Sequence, residues 1–531
     1  MKPIFFIRGT LVSWLAVLPL SAQWTSVPSA NFSQIQPSQF ADHELEVPYH
    51  LKHFAQVANA VVENPFTDST GTYLPRGFLN IKVNREPVDN KPYNARIMEM
   101  QMALAFFYTA DRPWNPYRGN AAVRVRLEAM LQRWTEMQAP DGNTYAGLFA
   151  EYSANNYSLA PTGFGVMAAA QALDLIRDSG LAFDAAVLDN SRLALRKALM
   201  ALFTRSDMRG AATQYSNQFS GSYHAALIYL ENWPDAELDA KFVQAVKDAS
   251  SQDQSAAGYF REAGGPDFGY SNVHERNLTV ALTRLRNRTD LMPYINGDED
   301  QWTQWLAANM PLQPDISTPT FVINAGINTR TSTGIMTPES RPLAEFTSLS
   351  RAFSLTAAEY STATANRRAQ LQSEWNNWGT LNTNSAYSYI PGFVFDAVQP
   401  LNVWHPTAAQ RTEAVNSLPY FAASRFNRLR HDTAPFTVAQ LRRPSYYAVF
   451  NTGRIIVARQ NHGLGSLWNP VYGNAIQPIS GHATAYFGTI RSGAATPYEQ
   501  STITSTLRVN GSAVSPVSGV QNLADGDFSA T

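Results

Sequence analysis

A helical N-terminal part followed by an antiparallel, β-rich C-terminal part is the fold class the sequence predicts, on three observations. From His43 to about Ser361 the apolar residues recur at helical spacing. The stretches between them are rich in Gly, Pro, Asn and Asp. Beyond roughly Ser385 the texture changes to short runs of Val, Ile, Tyr, Phe and Thr separated by turn residues.

In chain order, Met1 to Ala22 carries Lys2 and Arg8, then the apolar run Leu11 to Leu20, then Ser21-Ala22. That is the order of a secretory signal peptide, and it predicts a secreted or periplasmic protein cleaved near Ala22. No later run approaches the roughly 20 apolar residues of a membrane helix, so no membrane span is expected. The helical part occupies residues 23–385. Leu51, Phe54, Val57, Ala58 and Val61 share one helical face, as do Ile97, Met100, Leu104 and Phe107, and then Val123, Leu127, Met130, Leu131 and Trp134. Further helices are expected at Pro161 to Asp178, Ala185 to Phe203, Thr213 to Leu230, Ala236 to Ala249, Val273 to Arg288 and Pro342 to Tyr360. Ala139 to Asn143 and Asn296-Gly297-Asp298 read as loops. Helix pairs over so long a span suggest a toroid or solenoid, without a clean sequence repeat.

Residues 386–531 read as an antiparallel sheet domain, whose small size for a sandwich suggests a fragment of a longer protein. Strands are expected at Tyr387 to Phe395, Ser445 to Phe450, Arg454 to Arg459, Ala483 to Ile490 and Ser501 to Val509. The 531 residues are 44% hydrophobic, enough for one large or two medium cores. A formal net charge of -1 argues against nucleic acid as the main partner. The absence of cysteine removes disulfides, thiol nucleophiles and thiolate metal sites. His43, His50 and His53 lack an acidic partner at metal spacing and read as a solvated helix start, so no metal and no cofactor is expected.

The densest polar stretch is Gly258 to Asn277, GYFREAGGPDFGYSNVHERN. Its Gly-Gly-Pro break fixes a turn, Ser271 or Asn272 can cap the next helix, and Tyr270 is expected on the loop just ahead of that helix. Upstream, on TQYSNQFSGSYHAALIYL, Asn217 and His224 are seven residues apart and share a helical face about 10 Å apart, with Gln214, Gln218 and Gly221 beside them. Such a stripe can line a cleft; equally, Asn217 can bridge loops and His224 can be a satisfied core histidine. Tyr270 follows Asn217 by 53 residues, so the two can converge on one concave face. An amide facing a phenol suits β-elimination from a uronic acid. The amide neutralises the carboxylate beside the C5 proton, and a phenol or histidine moves the protons.

SNQFSGSYHAAL and GYFREAGGPDFGYSNVH resemble the corresponding segments of the heparinase II/III-like and alginate lyase-like polysaccharide lyases. The resemblance implies an incomplete (α/α) toroid followed by an antiparallel β-sandwich, acting on an acidic polysaccharide. It implies that Asn217 neutralises the carboxylate and that Tyr270 is the catalytic acid, and also the base. Members of that family often add a β-domain histidine within a His-rich strand motif, which is not found here; the nearest candidates are His462, His405 and His482. Arg261 and Arg276 suit carboxylate or sulfate recognition, although an ion pair with Glu262 or Glu275 is an equal reading. Glu262, His274 and Gln218 complete the candidate substrate-binding set. Tyr152, Tyr157, Phe164 and Trp468 offer sugar platforms, with Asn155 and Asn156 placed to bond hydroxyls. Two alternatives stand beside the lyase: a glycoside hydrolase using Glu262 and Asp267 as its carboxylate pair, and a glycan-binding protein without chemistry.

Overall fold

The computed structural model describes residues 23–81, 91–309, 311–312, 321–322, 324–330, 335–336, 357–375, 391–399, 409, 416–431, 436–453, 460, 463–479, 486–489, 498–501, 508–509 and 512–513. The leader pattern over 1–22 and the candidate histidines His405, His462 and His482 lie outside the described residues. The chain is helix-rich through its N-terminal part and carries an antiparallel sheet toward the C-terminus.

The first ten helices are α1 (Val47–Asn59), α2 (Gln101–Thr109), α3 (Ala121–Met137), α4 (Leu159–Ser179), α5 (Ala185–Thr204), α6 (Ser206–Ala212), α7 (Ser216–Asn232), α8 (Ala236–Gln252), α9 (Phe268–Leu285) and α10 (Met292–Asn309). Asn120, Asp184, Asp235 and Asp267 each accept a hydrogen bond from a main-chain N–H in the first turn of α3, α5, α8 and α9, which fixes where those helices begin. Asn296-Gly297-Asp298, expected as a loop, lies inside α10. There Ile295, Trp302, Trp305 and Leu306 are buried, and their packing outweighs the turn propensity of Asn-Gly.

From α2 onward the helices form two rows. α2, α4, α7 and α9 pack side by side in that order, while α3, α5, α8 and α10 form a second row, so the chain alternates between rows with α6 as a short connector. The rows differ as their sequences require. α8 buries a stripe of Leu238, Phe242, Ala245, Val246 and Ala249, the pattern of a helix covered on one side, whereas α4 and α7 are buried almost all round. α4 is by length and composition apolar enough to cross a membrane, a run the sequence reading did not count; 83% of that window is buried inside the protein. Its closest approach is to α7, where a Cβ on Gly163 would stand 1.9 Å from the Gln218 carbonyl oxygen. At the other end of the row, Asp174 of α4 accepts from Asn232 of α7 at 2.9 Å and from Arg284 of α9 at 2.8 Å. The three helices therefore run parallel, with their N-termini at one rim.

Among the described residues α11 (Ala357–Trp375) and α12 (Phe393–Val398) come next. The helix expected over Pro342 to Tyr360 falls largely outside the described residues, and α11 begins only at Ala357. α12 replaces the end of a strand expected over Tyr387 to Phe395. Phe393, Val394, Phe395 and Ala397 are all buried, a pattern without the two-sided alternation of a strand. Phe393 stacks on His50 at 3.8 Å and meets Phe106 and Phe107, while Phe395 lies edge-on to His224. His50 and His53 are therefore packed rather than solvated, and burial takes the His50 pKa down to about 3.

Short paired strands punctuate the helical part: β1 (Phe66–Thr67) with β2 (Tyr73–Leu74), β3 (Phe149–Ala150) with β4 (Tyr157–Ser158), β5 (Arg261–Glu262) with β6 (Gly265–Pro266), and β7 (Phe321–Val322) with β8 (Ile335–Met336). A one-turn helix, α13 (Pro419–Ala422), leads into the main sheet. Its long strands are β9 (Phe426–His431), β10 (Phe436–Arg443), β11 (Tyr446–Gly453), β12 (Gly463–Asn469) and β13 (Gly473–Ile479), each antiparallel to the last, with β14 (Tyr486–Thr489) and β15 (Tyr498–Ser501) continuing the order. The run expected at Ser445 to Phe450 is β11, that at Ala483 to Ile490 contains β14, and that at Ser501 to Val509 touches the end of β15 and a two-residue strand at 508–509; Arg454 to Arg459 lies outside the described residues.

The sheet and the helices share a core of Tyr259, Phe260, Phe268, Trp302 and Trp305 with Tyr420, Tyr447, Val449 and Trp468. Three of its polar side chains bond across the join, while Trp302 Nε1 and Trp305 Nε1 are buried without a partner. The Tyr447 hydroxyl donates to the Ala308 carbonyl at 2.6 Å, Trp468 Nε1 donates to the Leu312 carbonyl at 2.7 Å, and the Leu312 N–H donates to the Tyr420 hydroxyl at 3.0 Å. Trp468, expected as a sugar platform, is thus fully buried.

Candidate active site

The site is built where α7 and α9 begin, beside the β5–β6 hairpin. Asp267 caps α9: its Oδ1 accepts from the Tyr270 N–H at 3.0 Å. Tyr270 is therefore in the first turn of the helix, not on a loop ahead of it, and Ser271 and Asn272 are helical rather than capping. Ahead of the cap, β5 and β6 pair Arg261 with Pro266 and Glu262 with Gly265 across a two-residue turn. Both turn residues have positive φ, Ala263 at 50° and Gly264 at 79°. For Ala263 that conformation costs about 1–2 kcal/mol, so the hairpin carrying Glu262 is strained. It is held to the start of α7 by a bridge between Tyr215 and Glu262 and by Ser216 Oγ, which donates to the Arg261 carbonyl at 3.1 Å.

The central side chain was not singled out from the sequence. Arg330 pairs with the Glu262 carboxylate, lies 4.0 Å above the centroid of the Tyr270 ring, and donates its main-chain N–H to Asp267 Oδ2 at 2.7 Å. Thr329 reinforces this segment, its Oγ1 donating to the Glu262 carbonyl at 2.7 Å and its N–H to the Pro266 carbonyl at 3.0 Å. Arg330 keeps 38% of its side chain exposed, whereas Glu262 exposes 1%. Burial pushes the Glu262 pKa up to about 7, against the pull of Arg330.

Asn217 sits in the first turn of α7, 2% exposed. Its main-chain carbonyl accepts from Asn277 Nδ2 of α9 at 3.0 Å, but its Oδ1 is buried without a hydrogen-bond partner, which is costly for an amide. Tyr270 lies seven residues N-terminal to Asn277, so it stands about 10 Å beyond the level of Asn217 along α9. Gln218 is half-buried beside Asn217, with its main-chain carbonyl against Gly163 of α4.

Other candidates fall elsewhere. His224 is fully buried beneath Phe395, bonded through Nε2 to Gln171 at 3.0 Å, and burial lowers its pKa to about 3; it is a core histidine and lines no cleft. His274 stacks on Phe260 at 3.8 Å, and burial lowers its pKa to about 3 despite a hydrogen bond to the main chain of Ser216. It supports the site from beneath and does not face a substrate. Arg276 points away, to Asp396 at 3.1 Å and the Gly392 carbonyl at 3.1 Å, as its different helical face requires. Arg261 donates its main-chain N–H to the Asp253 carbonyl beside the hairpin. Asn155 and Asn156 are exposed on the loop joining β3 to β4, ahead of α4. Tyr157 stacks on Tyr145 at 5.5 Å, Tyr152 is exposed nearby, and Phe164 lies beneath the Arg96 guanidinium.

The arrangement brings a phenol, a guanidinium and a buried amide to one rim, with a carboxyl beneath. Glu262 and Asp267 do not make an open carboxylate pair, because Glu262 lies under Arg330 and both Asp267 oxygens accept main-chain N–H groups. Among the described residues no three of His, Asp and Glu gather as a metal ion would need. No protein-family description matches the chain, and no curated protein matches it.

Proposed function

We propose that the chain is a secreted polysaccharide lyase that cleaves a uronic-acid-containing polymer by β-elimination. The observation that carries this reading is the stack of Arg330 on the half-buried Tyr270 ring at the rim where α7 begins with Asn217, whose Oδ1 has no hydrogen-bond partner. The two alternating helical rows support an incomplete (α/α) toroid, and the antiparallel sheet behind them supports a β-sandwich partner. The order of charge, apolar run and small residues in 1–22 supports export.

In this reading the uronate carboxylate meets the Asn217 amide. Asn217 Nδ2 donates to a carboxylate oxygen, so that the negative charge that spreads from C5 onto the carboxylate is stabilised. The C5–H bond breaks, a double bond forms between C4 and C5, and the C4–O bond breaks. The Tyr270 hydroxyl gives its own proton to the departing glycosidic oxygen as it takes the one from C5. Arg330, beside the ring, attracts the polymer's acidic groups.

The test is growth of unsaturated-uronate absorbance when protein lacking residues 1–22 meets heparan-type, chondroitin-type, alginate and glucuronan polymers. Growth on at least one polymer that Tyr270→Phe reduces by at least about 10²-fold is expected, the span of a lost acid–base group. Cleavage without unsaturation would identify a hydrolase and refute the lyase. Binding without turnover would leave a glycan-binding protein.

A further inference from the structure

We propose that Glu262 is a positioning residue: ionised, it clamps the Arg330 guanidinium against Tyr270, and protonated, it lets the guanidinium swing into solvent, so that pH gates the cation of the site. This deepens the reading above, and only its consequence for turnover rests on that reading.

The geometry is asymmetric. Glu262 is fixed by the hairpin register, by the bridge to Tyr215 and by Thr329, and it exposes 1% of its side chain, whereas its partner exposes 38%. The Glu262 main chain is therefore held and its carboxyl walled in, whereas the guanidinium opens to solvent. One Glu262 oxygen engages Arg330, while Oε2 is buried with no hydrogen-bond partner. A carboxylate half-satisfied in a buried place is costly to keep ionised. The charged and titratable groups around it are Arg330 and Asp267, with Tyr270 and Tyr215 facing the arginine. Burial raises the Glu262 pKa most, Arg330 lowers it, and Asp267 raises it further, to about 7 in balance.

Protonation removes the ion pair but leaves the guanidinium charged, since arginine does not give up its proton. The Arg330 main chain stays anchored through Asp267. What remains for its side chain is the stack on Tyr270, a contact weak in water.

The test places 4-fluorophenylalanine, which does not titrate, at position 270 of the full chain and follows its fluorine resonance between about pH 5 and pH 9, the span that brackets this midpoint. One titration with a midpoint of about 7 is expected. Glu262→Gln should abolish it and hold the resonance at its low-pH position, and Arg330→Met, which leaves the buried acid in place, should flatten it as well. A flat wild-type resonance, or a titration that survives in Glu262→Gln, would overturn the proposal. If the chain is a lyase, its kcat/KM falls about tenfold per pH unit below the midpoint and loses that limb in Glu262→Gln. A protein without turnover would still show the fluorine titration, so the two readings fail separately.

Discussion

Replacing Gly163 by Ala tests the packing that sets the site. In the interior of a helix this change ordinarily stabilises by about 1 kcal/mol, because alanine has less backbone freedom to lose. Gly163 lies in the second turn of α4, where an added Cβ would stand 1.9 Å from the Gln218 carbonyl oxygen and 3.2 Å from its carbon. Both atoms are backbone, so no side chain can rotate away; α4 and α7 must separate by more than about 1 Å to restore ordinary contact. Overpacking of this kind costs about 1–3 kcal/mol, which exceeds the propensity gain at all but its lower edge. A net loss of up to about 2 kcal/mol follows, or roughly 4–8 °C in Tm at the 2–4 °C per kcal/mol of a large domain. Gly210→Ala in α6 is the control, since a Cβ there meets nothing within 4 Å and the substitution should stabilise. Thermal and urea unfolding of both variants decide the matter. If Gly163→Ala gains stability as Gly210→Ala does, the α4–α7 approach is not as described, and the placement of Asn217, next to Gln218, falls with it.

Two further outcomes are expected. Asp253 and Asp298 are buried around α8 and α10, and burial pushes the pKa of each up to about 7, with Arg209 opposing it at Asp253 and Ser250 at Asp298. A carboxyl raised in the folded state keeps its proton while the unfolded chain has lost it, so this stability is complete below the usual carboxylate pKa and is lost as pH rises toward 7. Urea midpoints should fall between about pH 4 and pH 7, and Asp298→Asn should flatten that fall; an unchanged slope would refute the assignment. Phe395→Ala should cost about 3 kcal/mol by opening the roof over His224 and should raise the histidine pKa, read by NMR titration. An unaltered titration would mean that Phe395 does not seal it.

The helices were legible because their apolar faces are long and periodic. Ala185 begins α5 in both readings, for Asp184 is a cap that sequence alone marks. The same rule was available for α9 and was missed: Asp267 follows Pro266 directly, but the serine and asparagine farther on drew the boundary three or more residues late, leaving Tyr270 outside its helix. β9, β10, β12 and β13 escaped for a different reason. β10 turns Gln440 and Arg442 inward, and Arg442 is accepted there because Nε donates to the Tyr420 carbonyl at 2.8 Å. No alternation of apolar and polar residues survives such an exchange. His224 satisfied the helical geometry expected of it and still failed as a site residue, because what covers it is α12, remote in sequence and read as a strand.

Arg330 was illegible for a reason that also explains the sheet. It lies 60 residues beyond Tyr270, on a segment with neither helical nor strand period. What marks that segment is amide content, Asn324 and Asn328 ahead of Thr329. Asn328 Oδ1 accepts from the Phe268 N–H at 3.1 Å, tying the segment to the start of α9. Asn324 exchanges hydrogen bonds with Asn451 of β11 at 2.7 and 3.0 Å, and Gln460 Nε2 donates to the Ile327 carbonyl at 2.6 Å, tying it to the sheet. Gly465 of β12 leaves room for this, since a Cβ there would stand 2.6 Å from Asn324 Oδ1. The segment is therefore clamped from both sides before it reaches Tyr270, by buried amides whose partners must all be present for any to be satisfied. The sheet's described contribution to the site is not a side chain at the rim but the placement of a backbone. A cation held by a fixed main chain and a single carboxylate can be precise in one protonation state and free in the other, which a cation carried on a regular helix face would not be.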